Sequence, residues 1–77
     1  MNSIAVLIPA FNEALSIGHV LKALPKSVSE VIVVDNGSTD ETAAIAKNHS
    51  ATVVQESRKG YGYACLKGME HLAKNPP

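Results

Sequence analysis

Three short apolar runs, each followed by a longer amphipathic stretch, divide this chain of 77 residues. The runs cover residues 3–8, 30–35 and 51–55, which are ordinary lengths for β-strands. The first run is apolar on both faces, as expected of a strand that helices cover on both sides of a sheet, and Pro9 ends it. The pattern predicts the element order β-α-β-α-β-α.

The first two amphipathic stretches carry helix signals at their beginnings. Asn12 is the predicted N-cap of the first helix and Pro25 its stop, and the apolar residues between them recur at helical spacing: Ile17, Val20, Leu21 and Leu24. Ser38 and Glu41 match a capping box, which predicts a second helix over residues 42–48.

The third amphipathic stretch predicts the longest helix, over about residues 61–74. Its predicted packing face is formed by Cys65, Gly68, Met69 and Leu72. The sequence Asn-Pro-Pro at residues 75–77 ends the helix, because proline supplies no backbone N–H to continue it.

Parallel strands joined by helices have right-handed connections, so the second strand lies beside the first and the third beyond the second. The predicted fold is α/β, an incomplete three-layer α/β/α sheet of Rossmann-like type with strand order 3-2-1. The first strand is then a sheet edge, although residues 4–8 are strongly apolar and carry no edge-protecting charge. We therefore expect that this chain is the N-terminal part of a larger protein, or that it forms a homo-oligomer that covers the edge of the first strand.

Composition excludes several classes of protein and partner. Apolar residues make up 45% and charged residues 18%, as in ordinary soluble globular domains. Seven basic and seven acidic side chains cancel, so no nucleic-acid surface or polybasic membrane contact is expected. The single Cys65 excludes an internal disulfide and fits a reducing compartment, and we expect a cytoplasmic location.

Polar residues follow each predicted strand, in three segments that open helices. They read Pro-Ala-Phe-Asn-Glu at residues 9–13, Val-Val-Asp-Asn-Gly-Ser-Thr-Asp at 33–40, and Arg-Lys-Gly-Tyr-Gly-Tyr-Ala-Cys at 58–65. In open α/β sheets ligands bind outside the carboxyl ends of the strands, so these segments face one crevice. The spacing predicts a small-molecule site, most simply a nucleotide site.

Taken together, the three segments resemble the N-terminal nucleotide-binding part of the family-two inverting glycosyltransferases, which have a GT-A type fold. The branch that is most similar resembles polyprenyl- and dolichyl-phosphate sugar synthases. The resemblance implies an enzyme that transfers a sugar from a UDP- or GDP-sugar to an acceptor such as a polyprenyl phosphate, at the membrane surface in the full-length protein.

The resemblance also implies a divalent cation, Mg²⁺ or Mn²⁺, held by an Asp-x-Asp motif after a fourth strand. That motif is not in this sequence. We therefore expect residues 1–77 to be the nucleotide-binding part of a glycosyltransferase domain, cut before the metal motif, with no cation bound by its own residues. Alone, the chain should bind nucleoside diphosphate weakly and should not turn over a nucleotide-sugar.

The first segment is expected to line the base and ribose. The backbone of Pro9 and Ala10 lets a flat base approach, and the Glu13 carboxylate can accept hydrogen bonds from ribose hydroxyls or a base N–H. Asn12 is a further candidate, although capping the helix that follows is the favoured explanation for it. The structural alternative for Glu13 is that its negative charge interacts favourably with the positive N-terminal end of that helix.

In the second segment the family usually has two consecutive acids, one of which contacts the nucleobase, whereas this chain has Asp35 and Asn36. Asp35 follows four apolar residues and needs a partner for its charge. Asn36 offers a donor and an acceptor and could read a base edge differently from an acid, which leaves the identity of the base open.

The third segment supplies Arg58 and Lys59, whose charges suit a diphosphate, and Gly60, which lets the backbone approach closely. An exposed basic loop is the structural alternative. A dinucleotide-binding G-x-G-x-x-G is disfavoured, because Cys65 replaces the third glycine and the loop follows the third strand. A second functional hypothesis is a non-catalytic nucleotide-binding or assembly module that a partner completes.

Overall fold

The computed structural model describes residues 4–74 and contains the six predicted elements in the predicted order. They are β1 (Ala5–Ala10), α1 (Ile17–Lys22), β2 (Glu30–Asp35), α2 (Thr42–Asn48), β3 (Thr52–Gln55) and α3 (Tyr61–Lys74). The bounds of β2, α2 and α3 agree with the sequence prediction. The predicted beginning of the first strand at Ser3 and the Asn-Pro-Pro stop at 75–77 lie outside the described residues.

The three strands form one parallel sheet in the order β1-β2-β3, which confirms the predicted adjacency. Ala10 is paired with Asp35, and Asp35 is paired with Gln55. This register brings the carboxyl ends of all three strands to the same level at one end of the sheet. The loops that follow the strands therefore meet there, as the sequence predicted.

Helices cover both faces of the sheet, which confirms the three-layer α/β/α architecture. On one face, Ile17 of α1 and Ala46 of α2 are buried against Val33. On the other, Ala64 of α3 is buried against Ile32 and Val34. The alternation of Ile32, Val33 and Val34 between the two clusters is the period-two pattern of a strand that is buried on both sides.

The first strand is longer than predicted, because Pro9 lies inside it and does not end it. The backbone carbonyls of Ile4 and Ala10 both accept hydrogen bonds from the β2 side of the sheet. Backbone groups alternate in direction along a strand, so the nitrogen of Pro9 faces the open edge, where no N–H is needed. Proline is thus tolerated because, within residues 4–74, no strand pairs with this side of β1.

The first helix is shorter than predicted, and Asn12 does not cap it. Its N-cap position is Ser16, and Asn12 has a φ of 51°, in the left-handed region. Leu24 lies beyond the end of α1, and Val20 is exposed, so the predicted apolar face is only partly buried.

Two further details of the helix predictions are wrong. The N-cap position of α2 is Glu41, whose side chain makes no capping bond, so Ser38 and Glu41 do not form a capping box. On α3, Met69 is 62% exposed, whereas Ala64 and Gly68 are buried and face the sheet. A Cβ at Gly68 would overlap the side chain of Leu7, so this glycine sets how closely α3 lies on the sheet.

Within residues 4–74, β1 pairs only with β2, so its other edge carries backbone groups that no strand pairs. The homo-oligomer expected through this edge stays a prediction, as does the cytoplasmic location. In the described part of the chain, no helix is both long and apolar enough to cross a membrane.

Candidate functional site

A cleft of about 290 Å³ lies at the carboxyl ends of the strands. Residues from all three predicted segments line it: Pro9, Ala10, Phe11, Glu13, Asn36, Tyr61 and Ala64. A neighbouring recess of about 330 Å³ shares three of these residues and adds Lys59 and Gly60. The structure thus brings together Pro9, Ala10, Glu13, Asn36, Lys59 and Gly60 of the predicted site. Asn12, Asp35 and Arg58 line neither recess.

Asn12 instead joins the loop after β1 to the loop after β2. Its backbone N–H donates to Ser38 Oγ at 2.9 Å, and its Oδ1 accepts from the backbone N–H of Thr39 at 2.9 Å. Its left-handed backbone turns the chain so that both contacts form at once. Asparagine tolerates this conformation better than most residues, which accounts for the residue type.

The same two loops are joined by two more side chains, those of Thr42 and Asp40. The backbone N–H of Glu13 donates to Thr42 Oγ1 at 2.8 Å, and that of Ala14 donates to Asp40 Oδ2 at 3.2 Å. Thr42 donates in turn to Asp40 Oδ1 through its hydroxyl and its backbone N–H. The Thr42 hydroxyl holds the pKa of Asp40 below its ordinary value, since it stabilises the charged form. We call these bonds between residues 12–14 and 38–42 the loop seam.

The seam fixes the backbone of Glu13 while its carboxylate stays exposed at the cleft. Glu13 Oε2 accepts a hydrogen bond from Ser16 Oγ at 3.0 Å, which orients the carboxylate. A carboxylate has about four acceptor positions, so most of them are open to a ligand.

Asp35 is only 3% exposed, and both of its oxygens have partners. Oδ1 accepts from the backbone N–H of Ser38 at 3.1 Å, and Oδ2 accepts from Gln55 Nε2 at 3.1 Å. The need for a partner that the sequence indicated is therefore met inside the protein. Its contact with a nucleobase stays a prediction.

Asn36 holds the loop of residues 56–60, which joins β3 to α3. Its Nδ2 donates to the backbone carbonyls of Glu56 at 2.9 Å and Arg58 at 2.7 Å, and its Oδ1 accepts from the N–H of Gly60 at 3.0 Å. The side chain is 8% exposed and forms part of the cleft wall.

Arg58 is bound within its own loop. Its Nη2 and Nε donate to the two oxygens of Glu56 at 2.8 and 3.2 Å, and its guanidinium lies 4.6 Å from the centre of the Tyr63 ring. The Arg58 side chain lowers the pKa of Glu56 to about 2, and Glu56 raises the pKa of Arg58. Arg58 reaching a phosphate stays a prediction; within residues 4–74, Lys59 is the cation of this loop that has no acidic partner.

Two aromatic residues outside the predicted set line both recesses. Phe11 is 50% exposed and Tyr61 is 74% exposed. Large apolar side chains beside a polar cleft offer a flat surface for a base. The available signal for Phe11 was an aromatic residue immediately after a strand end, inside the first segment.

Metal-ligating side chains are sparse in the described part of the chain. No group of three or more His, Cys, Asp or Glu residues there could hold a metal ion.

Comparison with known proteins identifies the family. Residues 5–75 match the family described as Glycosyl transferase family 2. The chain is 44% identical over 76 residues to an uncharacterized glycosyltransferase of Mycobacterium tuberculosis, a match that covers 99% of this chain and 34% of that protein. It is 41% identical over 81 residues to the 4,4'-diaponeurosporenoate glycosyltransferase of Staphylococcus aureus, covering 95% of this chain and 22% of that one.

A solved structure is similar over the same segment. Glucosyl-3-phosphoglycerate synthase from Mycobacterium tuberculosis, in complex with Mn²⁺, UDP-glucose and glycerol 3-phosphate, matches with a TM-score of 0.81 and 32% identity. The match covers 90% of this chain and 29% of that one. This chain thus spans about a third or less of the length of these relatives. The family and GT-A fold predicted from the three segments are confirmed, and the chain belongs to glycosyl transferase family 2.

Proposed function

We propose that the cleft is the donor-nucleotide half-site of a glycosyltransferase that uses a UDP- or GDP-sugar. The observation that carries the proposal is that Glu13 and Phe11 line the cleft at the strand ends, while Phe11 also lines the neighbouring recess together with Lys59. The similar solved structure supports it, since that enzyme is described with UDP-glucose and Mn²⁺.

Each wall of the cleft has chemistry that suits one part of a nucleoside diphosphate. Phe11 offers its ring to the base, and the Glu13 carboxylate accepts hydrogen bonds from ribose hydroxyls. Lys59 supplies a positive charge for the phosphates. We assign this role to Lys59 before Arg58, because Arg58 already has Glu56 as its partner.

The proposed role concerns binding of the nucleotide and not of the divalent metal that the resemblance implies. Residues 4–74 offer no cluster of side chains that would hold Mn²⁺ or Mg²⁺. We propose that residues 1–77 are the nucleotide-binding part of a longer glycosyltransferase domain, and that this segment alone neither transfers nor hydrolyses a nucleotide-sugar. Its match to only 34% of a relative's length supports this division.

The acceptor is proposed to be a polyprenyl phosphate, on the resemblance of the three segments. The names of the relatives point to different acceptors: 4,4'-diaponeurosporenoate in one, and phosphoglycerate in another. The similarity of this segment persists across that difference. This supports a role for the segment in binding the donor and not in choosing the acceptor.

Titration of the chain with UDP and with GDP, followed by amide NMR, tests the proposal. We expect shifts at residues 10–13, 36–37 and 59–61. Lys59→Ala should weaken UDP binding about tenfold, as expected for one charged hydrogen bond to a phosphate. Lys47→Ala is the matched control, because Lys47 is an exposed lysine of α2 that lines neither the cleft nor the recess.

The control variant should bind UDP as the wild type does. Shifts confined to other surfaces, or equal losses in the Lys47 and Lys59 variants, would contradict the proposal. Release of nucleoside diphosphate from a nucleotide-sugar by the pure chain, dependent on added Mn²⁺, would contradict the assignment of catalysis to other parts of the protein.

A further inference from the structure

The amide of Asn36 has no donor left for a ligand. An asparagine amide carries two N–H groups, and here both are directed at backbone carbonyls, those of Glu56 and Arg58. Its oxygen accepts from Gly60 at 3.0 Å. Three backbone groups spread over five residues of one loop are thus tied to a single side chain.

The backbone at Asn36 is also held in place by hydrogen bonds. The backbone N–H of Asn36 donates to the carbonyl of Ala10 at 2.8 Å, and the N–H of Glu56 donates to the carbonyl of Asp35 at 3.0 Å. Asn36 therefore directly follows the end of the central strand, and its side-chain amide extends from a backbone that is fixed to the sheet.

The loop depends on this amide for its shape. Residues 56–60 form neither helix nor strand, and Gly60 has a φ of 128°, which only glycine adopts readily. Lys59 lies between the tied carbonyl of Arg58 and the tied N–H of Gly60. The two bonds flank this residue, which lines the recess.

We propose that Asn36 is a positioning residue for the nucleotide, which fastens loop 56–60 so that Lys59 lies at the cleft, and that it does not read the base. This inference rests on the proposed function and deepens it. It also explains why this chain has asparagine at position 36, where the family usually has a second acid. An aspartate could accept from Gly60, but its oxygens would face the carbonyls of Glu56 and Arg58 without a hydrogen to donate.

The fastening is tested without ligand, by amide hydrogen exchange of the folded chain. In Asn36→Ala, the N–H of Gly60 should exchange at least about tenfold faster, because it loses its acceptor. In Asn36→Asp, that N–H keeps an acceptor, while the amide signals of residues 57–60 should shift. The N–H of Thr39, which is bound to Asn12 in the loop seam, is the internal control and should be unchanged.

The positioning role is tested by a double-mutant cycle on UDP affinity. Lys59→Ala should weaken binding about tenfold in the wild-type background and less than about twofold in the Asn36→Ala background, because the loop no longer presents the lysine. Ser38→Ala provides a matched background: it removes one hydrogen bond from the loop seam and should leave the tenfold effect of Lys59→Ala intact. The preference between UDP and GDP should not change in Asn36→Ala.

Each outcome decides something different. Additive effects of Asn36→Ala and Lys59→Ala, or a changed preference between UDP and GDP, would mean that Asn36 contacts the ligand directly and would overturn the inference. Unchanged exchange at Gly60 would overturn the fastening itself. A wild-type chain that binds neither UDP nor GDP would refute the proposed function and the positioning role with it, whatever the exchange shows.

Discussion

The loop seam and loop 56–60 are held in different ways, although the first borders the cleft and the second the recess beside it. The seam distributes its bonds over several side chains of two loops, Asn12 and Ser38 at one end and Asp40 with Thr42 at the other. Loop 56–60 is fastened by one buried amide, that of Asn36, and by the carboxylate of Glu56.

This difference implies that the loop seam is rigid and that loop 56–60 is adjustable. The seam carries Glu13 on a backbone that several independent bonds fix, so the loss of one bond leaves the rest in place. The loop carries Lys59 on a segment in which the loss of one side chain frees three backbone groups. We infer that the ribose side of the cleft is the more resistant to substitution, and the phosphate side the more sensitive.

The strongest test within the seam is Thr42→Val, which keeps the shape of a fully buried side chain and removes its hydroxyl. The N–H of Glu13 loses its acceptor and Asp40 loses a donor. We expect the free energy of unfolding in urea to fall by about 2 kcal/mol, the usual cost of leaving a buried polar group unpaired. Thr39→Val, on an exposed threonine of the same segment, should cost under about 0.5 kcal/mol. Equal losses in the two variants would show that the Thr42 hydroxyl does not hold the seam.

Asn12 tests whether the seam depends on a side chain or on a backbone conformation. Asn12→Ala should lower the free energy of unfolding by about 2 kcal/mol or slightly less, since it loses an acceptor for Thr39 and places alanine in the left-handed region. Asn12→Gly should cost about 1 kcal/mol less than Asn12→Ala, because glycine adopts that conformation without strain.

Ser50→Gly is the matched control for conformation alone. Ser50 also has a left-handed φ, of 67°, and within the described residues its side chain makes no hydrogen bond. Glycine there should be neutral or stabilising by urea unfolding. If Asn12→Gly behaves like Ser50→Gly, the hydrogen bond from Thr39 contributes nothing and the seam is weaker than its geometry indicates.

The sequence predicted the parts of this fold that depend on local patterns. The apolar runs located β2 and β3, the third amphipathic stretch located α3, and the handedness of the crossovers gave the strand order. Convergence of the three polar segments on one cleft also followed, because the carboxyl ends of parallel strands must meet. These inferences needed no knowledge of distant contacts.

The wrong capping predictions share one physical cause, which is that distant partners replaced local ones. Asn12 and Ser38 were assigned to capping their own helices, yet they bind each other's loops across 26 and 27 positions. Asn36 also bonds a loop more than 20 positions away, and its predicted contact with the base stays a prediction. Capping rules consider only three or four neighbours, so a polar side chain that finds a better partner across the sheet escapes them.

The smallest expected effect concerns Glu56, whose contribution depends on pH. Its pKa is about 2 in the folded chain and 4.5 ordinarily, so the folded state binds this proton less readily than the unfolded state does. The stabilisation is therefore fully present above about pH 4.5 and is lost as the pH falls toward 2. Near neutral pH we expect a modest effect of Glu56→Gln, because the Arg58 partner is 53% exposed and solvent screens the pair.

The pH dependence is tested by measuring the Tm of Glu56→Gln and of the wild type between pH 7 and 2. The difference in Tm should be largest above pH 4.5 and should shrink toward zero as Glu56 becomes protonated in the wild type. Asp40, whose pKa is also lowered, remains in both proteins, so the acid sensitivity of the seam cancels in the difference. A difference in Tm that is constant down to pH 2 would mean that the carboxylate charge does not hold loop 56–60, and that Asn36 alone does.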